Sequence, residues 1–233
     1  MKKKILFATT MMLVITFALI ANTAIGIRID PRLKVSREKL TEITSFDQGV
    51  SGWKLFSLPF DASVSMDEIR VTYDGEVMTL NQASNANIIC RHIYVYDNEM
   101  NNWKFSSKFE SGNGYMVYVY VNDEVTLSAV GIYNDCDEPI PLGIGWNYFG
   151  IPLSSTIPIS GLRFSCTKMR LKNLNINQAH GILIDKNMFH ATNTNNPFYK
   201  LVNLDSDLII PGNVYLLVGL VDGVEMSYVS TFR

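Results

Sequence analysis

Three histidines and a scatter of carboxylates are the groups in this 233-residue chain that could do acid–base or metal chemistry. His92, His180 and His190 stand far apart, and none belongs to a His-Glu-x-x-His pattern, which sets two imidazoles on one helix face around zinc. They read as solvated or packed side chains. The acid pairs Asp135/Asp137 and Asp205/Asp207 lie two residues apart on expected turns or strand ends. A hydrolase of the glycosidase kind needs its two carboxyls across a cleft, and this spacing places neither pair so. Asp97-Asn98-Glu99 with Asn101, and Asp135 with Asp137 and Glu138, offer oxygen ligands of the sort calcium takes. Both lack the ligand spacing and the glycine of a dedicated calcium loop, so they read as turn chemistry. No Gly-x-Ser-x-Gly, phosphate loop or dinucleotide fingerprint occurs. The chain is therefore expected not to be an enzyme and to hold no metal or cofactor. Its binding residues are left unassigned.

The tryptophans offer a different chemistry, stacking on sugar rings. Trp53 and Trp146 sit on strands whose apolar residues fall on both faces, so they are expected to fill a core. Trp103 follows a hairpin and, with the polar loop at 186–197, makes carbohydrate recognition the alternative binding reading. That loop belongs to an Asn-rich stretch at 173–196, yet no Asn-x-Ser/Thr glycosylation site occurs anywhere in the chain.

These residues are carried by a pattern that occurs twice. Gly52-Trp53-Lys54-Leu55-Phe56-Ser57-Leu58-Pro59-Phe60 opens the first copy, and Gly145-Trp146-Asn147-Tyr148-Phe149-Gly150-Ile151-Pro152-Leu153 opens the second. Each copy returns with Gly-Asn-x-Tyr and an apolar run, at Gly112-Asn113-Gly114-Tyr115 and at Gly212-Asn213-Val214-Tyr215. Between these landmarks Val64, Met66, Ile69 and Arg70 match Ile157, Ile159, Leu162 and Arg163 at a constant offset. Ile182-Leu183-Ile184-Asp185 is matched to Tyr94-Val95-Tyr96-Asp97, and Phe198-Tyr199 stands in for Trp103 after a longer hairpin. A repeat of this length is one structural unit used twice. The strands point to an all-β chain of two tandem antiparallel β-sandwich-like modules, at 52–131 and 141–233, joined by the acidic linker 132–140. The modules are expected to pack around a pseudo-twofold, because small units cannot hide this much apolar surface alone.

The motifs resemble a repeat module of archaeal and bacterial cell-surface or secreted proteins, which reads GWNLISLP early and GYWV late. The resemblance covers most of the first copy and both ends of the second, where Val214 replaces the second glycine of Gly-x-Gly-Tyr. It implies an extracellular β-sandwich-like unit used in tandem, with no catalytic role of its own.

The N-terminus reads as a secretory signal over residues 1–24. Lys2, Lys3 and Lys4 precede an uncharged apolar stretch at 5–20, and small residues offer cleavage after Ala24 or Gly26. The rival reading is an uncleaved anchor at 5–27, which would be the chain's one link to a membrane. Either way the rest is expected outside, secreted or at the cell surface. Residues 25–51 form a charged lead-in, a tether or edge strand that folds back on its own module or, as the alternative, completes a neighbour's sheet.

Twenty basic residues against 22 acidic ones give −2, and loss of the three signal lysines leaves 17 against 22, or −5. That balance argues against nucleic acid as a partner. Cys90, Cys136 and Cys166 allow one disulfide with any of three pairings, or three small buried hydrophobes. Export, repetition and the lack of catalytic groups together suggest a structural or adhesive protein. Its partners would be an extracellular protein, a glycan or its own copies.

Overall fold

Among the described residues, ten strands in the first half of the chain are repeated, one for one, by ten in the second. This order comes from a computed structural model that describes residues 39–47, 49, 51–131, 133, 135, 138–193, 199–204 and 206–229. The signal segment, the lead-in up to residue 38, Cys136, Asp137, Asp205 and residues 194–198 lie outside the described residues. In the first half these are β1 (Leu40–Phe46), β2 (Gly52–Ser57), β3 (Ser63–Ser65), β4 (Ile69–Tyr73) and β5 (Glu76–Thr79). Helix α1 (Leu80–Asn85) follows, then β6 (Tyr94–Asp97), β7 (Asn102–Phe105), β8 (Lys108–Glu110), β9 (Gly114–Val119) and β10 (Val125–Val130). The second half runs β11 (Ile140–Leu142), β12 (Gly145–Phe149), β13 (Ile157–Pro158), β14 (Leu162–Cys166) and β15 (Leu171–Leu174). Helix α2 (Ile176–Ala179) leads to β16 (Ile184–Ala191), β17 (Tyr199–Leu201), β18 (Leu208–Ile209), β19 (Tyr215–Gly219) and β20 (Val224–Tyr228).

The sheets repeat with the strands. The first module pairs β1-β10-β4-β5, β2-β9-β6-β7 and the ribbon β3-β8; the second pairs β11-β20-β14-β15, β12-β19-β16-β17 and β13-β18. All pairings between named strands are antiparallel, so the protein is all-β with two sandwich-like modules. Each module has its own apolar core, one around Phe56, Phe109 and Tyr115, the other around Phe149, Phe164 and Tyr215.

Small polar devices recur at equivalent places and show why the same pattern folds twice. Arg70 donates from Nη1 to the carbonyls of Asp67 and Ile69, and Arg163 donates to those of Ser160 and Leu162. Thr79 caps α1 through the Gln82 amide, as Asn175 caps α2 through that of Gln178, relieving helix-end donors that would otherwise lack partners. The buried Tyr115 hydroxyl accepts from the Glu110 N–H and donates to the Glu110 carbonyl. Tyr215 does the same with the Ile210 N–H and the Leu208 carbonyl, so each tyrosine pins the turn before its own strand. Burial pushes the Tyr115 phenol up to about 12 and raises that of Tyr215.

Two stretches that the sequence leaves open or misplaces are strands. Residues 40–46, within the lead-in that reads as a tether or edge strand, form the edge strand β1 and pair with β10 of their own module, while Ile43 and Phe46 enter its core. Their counterpart β11, which spans the expected boundary between linker and module two, is likewise an edge strand, and the edge is where its Pro141 costs no ladder bond. The middle of module two differs in register from the sequence expectation. Tyr94 and Phe189 pair with the equivalent residues Met116 and Leu216, so β6 corresponds to 189–192 rather than 182–185. Residues 184–191, partly read as loop, are the strand β16, whose ladder breaks between Ile184 and Met188. Tyr199 does take the place of Trp103, each paired with the matching residue of the neighbouring strand.

Residues 39–233 form one unit, with the modules joined edge to edge and face to face around a pseudo-twofold. Ser57 donates its N–H to the Gly212 carbonyl, and its counterpart Gly150 donates its own to Gly112. The Asn98 amide reaches Asn147 across the boundary. Its counterpart Asn193 accepts from the Leu55 N–H and donates to the Leu55 carbonyl. The Asn193 side chain thereby acts as a short strand on β2, an edge that would otherwise expose unpaired backbone. Lys54 is 3% exposed, donates to the Asn193 carbonyl, and is held below the usual lysine range by burial.

Candidate interaction surface

The residues with potential chemistry are dispersed over the scaffold, which engages Asp97, Asp135 and Asp207 and leaves the buried His190 Nε2 without a hydrogen-bond partner. Asp97 accepts from Lys104 at 2.7 Å and from the Met100 N–H, bonds that hold its carboxyl below the usual range. Asn101 accepts from the Tyr96 hydroxyl, and Asn98 is spent on Asn147. Asp135 accepts from the Ser154 N–H and hydroxyl, and Asp207 closes a turn by accepting from the Asn203 N–H. His92 lies edge-on to Phe105, His180 follows α2, and His190 stacks on Tyr215 with ring centroids 5.2 Å apart. Burial lowers the His190 pKa. Among the described residues no three His, Cys, Asp or Glu side chains converge. Cys90 and Cys166 carry free thiols.

The tryptophans are where the structure departs most from expectation. Trp53 is 42% exposed and Trp146 40% exposed, so neither fills a core. Each module's Gly-Trp strand packs on both faces, but against different partners and, on the outward face, over only part of its length. In β2 the inward set, Phe56 among it, enters the module core, while the opposite set, Trp53 and Leu55, looks toward the second module. That second module reaches only the end of the strand near Ser57, and Trp53 lies at the other end.

The outward face of the sheet β2-β9-β6-β7 is therefore half covered. Leu55, Met116 and Trp103 pack with Tyr148, Val214 and Leu216 of the second module. Tyr148 lies 4.6 Å from Tyr96 and 4.8 Å from Trp103, ring centroid to ring centroid. Trp103, the candidate sugar platform, is thus part of the seam between modules. The far half of the same face carries Trp53, Tyr94, Phe105 and Tyr118, with Tyr120 just past the strand. Trp53 packs on Tyr118 at 5.3 Å and on Tyr94 at 5.9 Å, and Tyr118 on Tyr120 at 5.1 Å. The rings meet edge to face, at 89° and 73° around Trp53. Phe105, paired with Tyr94, is 55% exposed.

The second module repeats this arrangement. Trp146 packs on Phe189 at 6.1 Å, beside Val218 and the exposed Leu201, which occupies the place of Phe105. A pattern-2 reading of the strands supplies these faces, since Trp53 and Leu55 share a side. What sequence reasoning missed was which half of each face the other module would cover. An open cleft of about 480 Å³ also lies at the module boundary, lined by Ile43, Phe60, Tyr133, Asp135, Ser154 and Pro211.

No family model, curated protein or solved structure matches the chain. The fold and this surface define it as a two-module β-sandwich protein with an exposed aromatic sheet face. Among the described residues no helix is long and apolar enough to cross a membrane.

Proposed function

We propose that the chain is a secreted or cell-surface structural or adhesive protein, one that acts by binding or self-assembly through its repeated β-modules rather than by catalysis. The observation that carries this reading is the aromatic row Trp53, Tyr94, Phe105, Tyr118 and Tyr120 on a rigid sheet face. Contiguous exposed apolar surface on a folded protein marks an interaction site. The signal-like N-terminus supports the location.

The test is to express the full chain with a C-terminal epitope and follow fractionation, protease accessibility and the mature N-terminus. Export with a new N-terminus at Ile25 or Ile27 is expected. An uncut chain held inside the cell contradicts the reading.

Carbohydrate binding is a second reading, favoured by the two exposed indoles, Trp53 and Trp146. A glycan array, run with and without calcium, is expected to give signals quenched in Trp53→Ala if it holds; a blank array removes it.

A further inference from the structure

We propose that the exposed half of the β2-β9-β6-β7 face is the docking site for a second copy of this chain, which presents the matching half of its β12-β19-β16-β17 face. The proposal rests on the binding reading above and names its partner.

A second copy fits this face because the face continues an interface already formed within the chain. Within one chain, the outward face of module one meets the outward face of module two, through Leu55, Met116 and Trp103 on one side and Tyr148, Val214 and Leu216 on the other. The same strands continue past that seam with the same kind of side chain. Trp53 stands two residues from Leu55 and Tyr118 two from Met116, each on the same side of its strand. On the other face Trp146 stands two from Tyr148, and Val218 two from Leu216. The chain thus carries one free half of each surface type, each continuous with the half that packs on its counterpart inside the molecule.

The ring geometry favours a protein over a polysaccharide. A run of sugar rings stacks on coplanar aromatic faces, whereas Trp53 meets Tyr118 at 89° and Tyr94 at 73°. Such edge-to-face clusters are how aromatic side chains pack in protein cores and interfaces. Face one on face two is a heterologous contact. It leaves one free face at each end of any oligomer, so growth runs head to tail rather than stopping at a dimer. Each contact involves only a handful of side chains, so association is weak per link and rises with concentration.

The experiment uses the purified exported protein in sedimentation and light-scattering runs over a concentration series. Phe105→Lys disables the first face and Leu201→Lys the second, and both positions are more than half exposed, so the fold tolerates them. Thermal unfolding checks this, and Phe105→Ser with Leu201→Ser replaces the pair if either lysine variant melts early. The unaltered chain is expected to climb in mass past the dimer. Each variant alone is expected to stay monomeric, and an equimolar mixture to form dimers and stop there. A monomer at every accessible concentration overturns the proposal. So does dimerisation of Leu201→Lys alone, which would mean like faces pair, or association unchanged in the double variant. Oligosaccharides quenching Trp53 without any association would assign the face to a glycan. Failure here leaves the export experiment standing, and failed export leaves this association measurable.

Discussion

Ser57 and Gly150 hold the same position in the two modules and face each other across the pseudo-twofold, so closely that a Cβ on Gly150 would collide with the side chain of Ser57. The repeat is therefore asymmetric where it matters most. One copy supplies the side chain and the other the space. Ser57 uses its hydroxyl to donate to the Asn213 carbonyl, a bond that ties β2 to the turn before β19.

Gly150→Ser is expected to destabilise the protein by about 2–4 kcal/mol, because two side chains would compete for one site in a packed boundary. The double variant Ser57→Gly/Gly150→Ser exchanges the roles and is expected to recover most of that loss. Chemical denaturation of the four proteins in a double-mutant cycle measures the coupling. Additive losses would show that the two positions do not share the site.

Gly114 and Val214 make a second such pair. A Cβ on Gly114 would lie 2.8 Å from Val214 Cγ1, and Val214 is fully buried in the seam. Val214→Gly removes that filling and is expected to cost about 2–3 kcal/mol through lost burial, an unfilled space and backbone freedom. Gly114→Val on its own is expected to open the seam, read as faster exchange of the Ser57 and Gly150 amides.

Asn193→Ala is expected to cost about 1–3 kcal/mol, since it strips two hydrogen bonds from the Leu55 backbone and leaves a strand edge unpaired. Asn193→Gln, with a longer arm, is expected not to restore it. Stability equal to the unaltered protein would mean that the edge is closed by something else.

Lys54 gives a pH signature. Burial holds its pKa below 10.5, so below the folded pKa the cation is present in both states and its desolvation counts in full against folding. As pH rises from the folded value toward 10.5 the folded chain sheds that proton first, and the disadvantage disappears. Lys54→Met is thus expected to match or exceed the unaltered protein at neutral pH, and the difference to shift in favour of Lys54 as pH approaches 10.5. A difference that does not change with pH would contradict the buried cation.

Tyr115 acts with the opposite sign. Its phenol is pushed up to about 12, so the folded state keeps a proton that the unfolded state loses, and stability falls as pH rises from about 10 to 12. Tyr115→Phe removes this slope and also the bonds to Glu110, with an expected cost of about 1–2 kcal/mol at neutral pH. Denaturation at neutral and alkaline pH separates the two effects.

Much of this architecture is legible in the residues, and the failures have physical causes. The paired Gly-Trp and Gly-Asn-x-Tyr motifs locate β2, β9, β12 and β19 because those strands need two apolar faces, a constraint that composition alone displays. The middle of module two slipped because Ile182-Leu183-Ile184-Asp185 imitates the apolar alternation of Tyr94-Val95-Tyr96-Asp97. The true partner, Phe189-His190-Ala191-Thr192, is marked only by its pairing with β19. At 40–46 the residues leave tether and edge strand both open, because a half-buried edge strand of seven residues carries few apolar side chains, Ile43 and Phe46 among them. The tryptophans were assigned to a core because strand periodicity tells which side a residue faces, not how far along the strand a neighbour reaches. The departure of Val214 from the repeat, visible as a substitution, has its reason only in the space above Gly114.

The central claim is that the two modules act as one body, because the half-covered aromatic face exists only if the seam is closed. Native-state hydrogen exchange at the Ser57 and Gly150 amides, which bond to the Gly212 and Gly112 carbonyls, tests it most directly. Both amides are expected to exchange as slowly as those of Val117 and Leu217 in the module cores, through global unfolding alone. Fast exchange at Ser57 and Gly150, with the core amides still protected, would mean modules strung side by side and would contradict it.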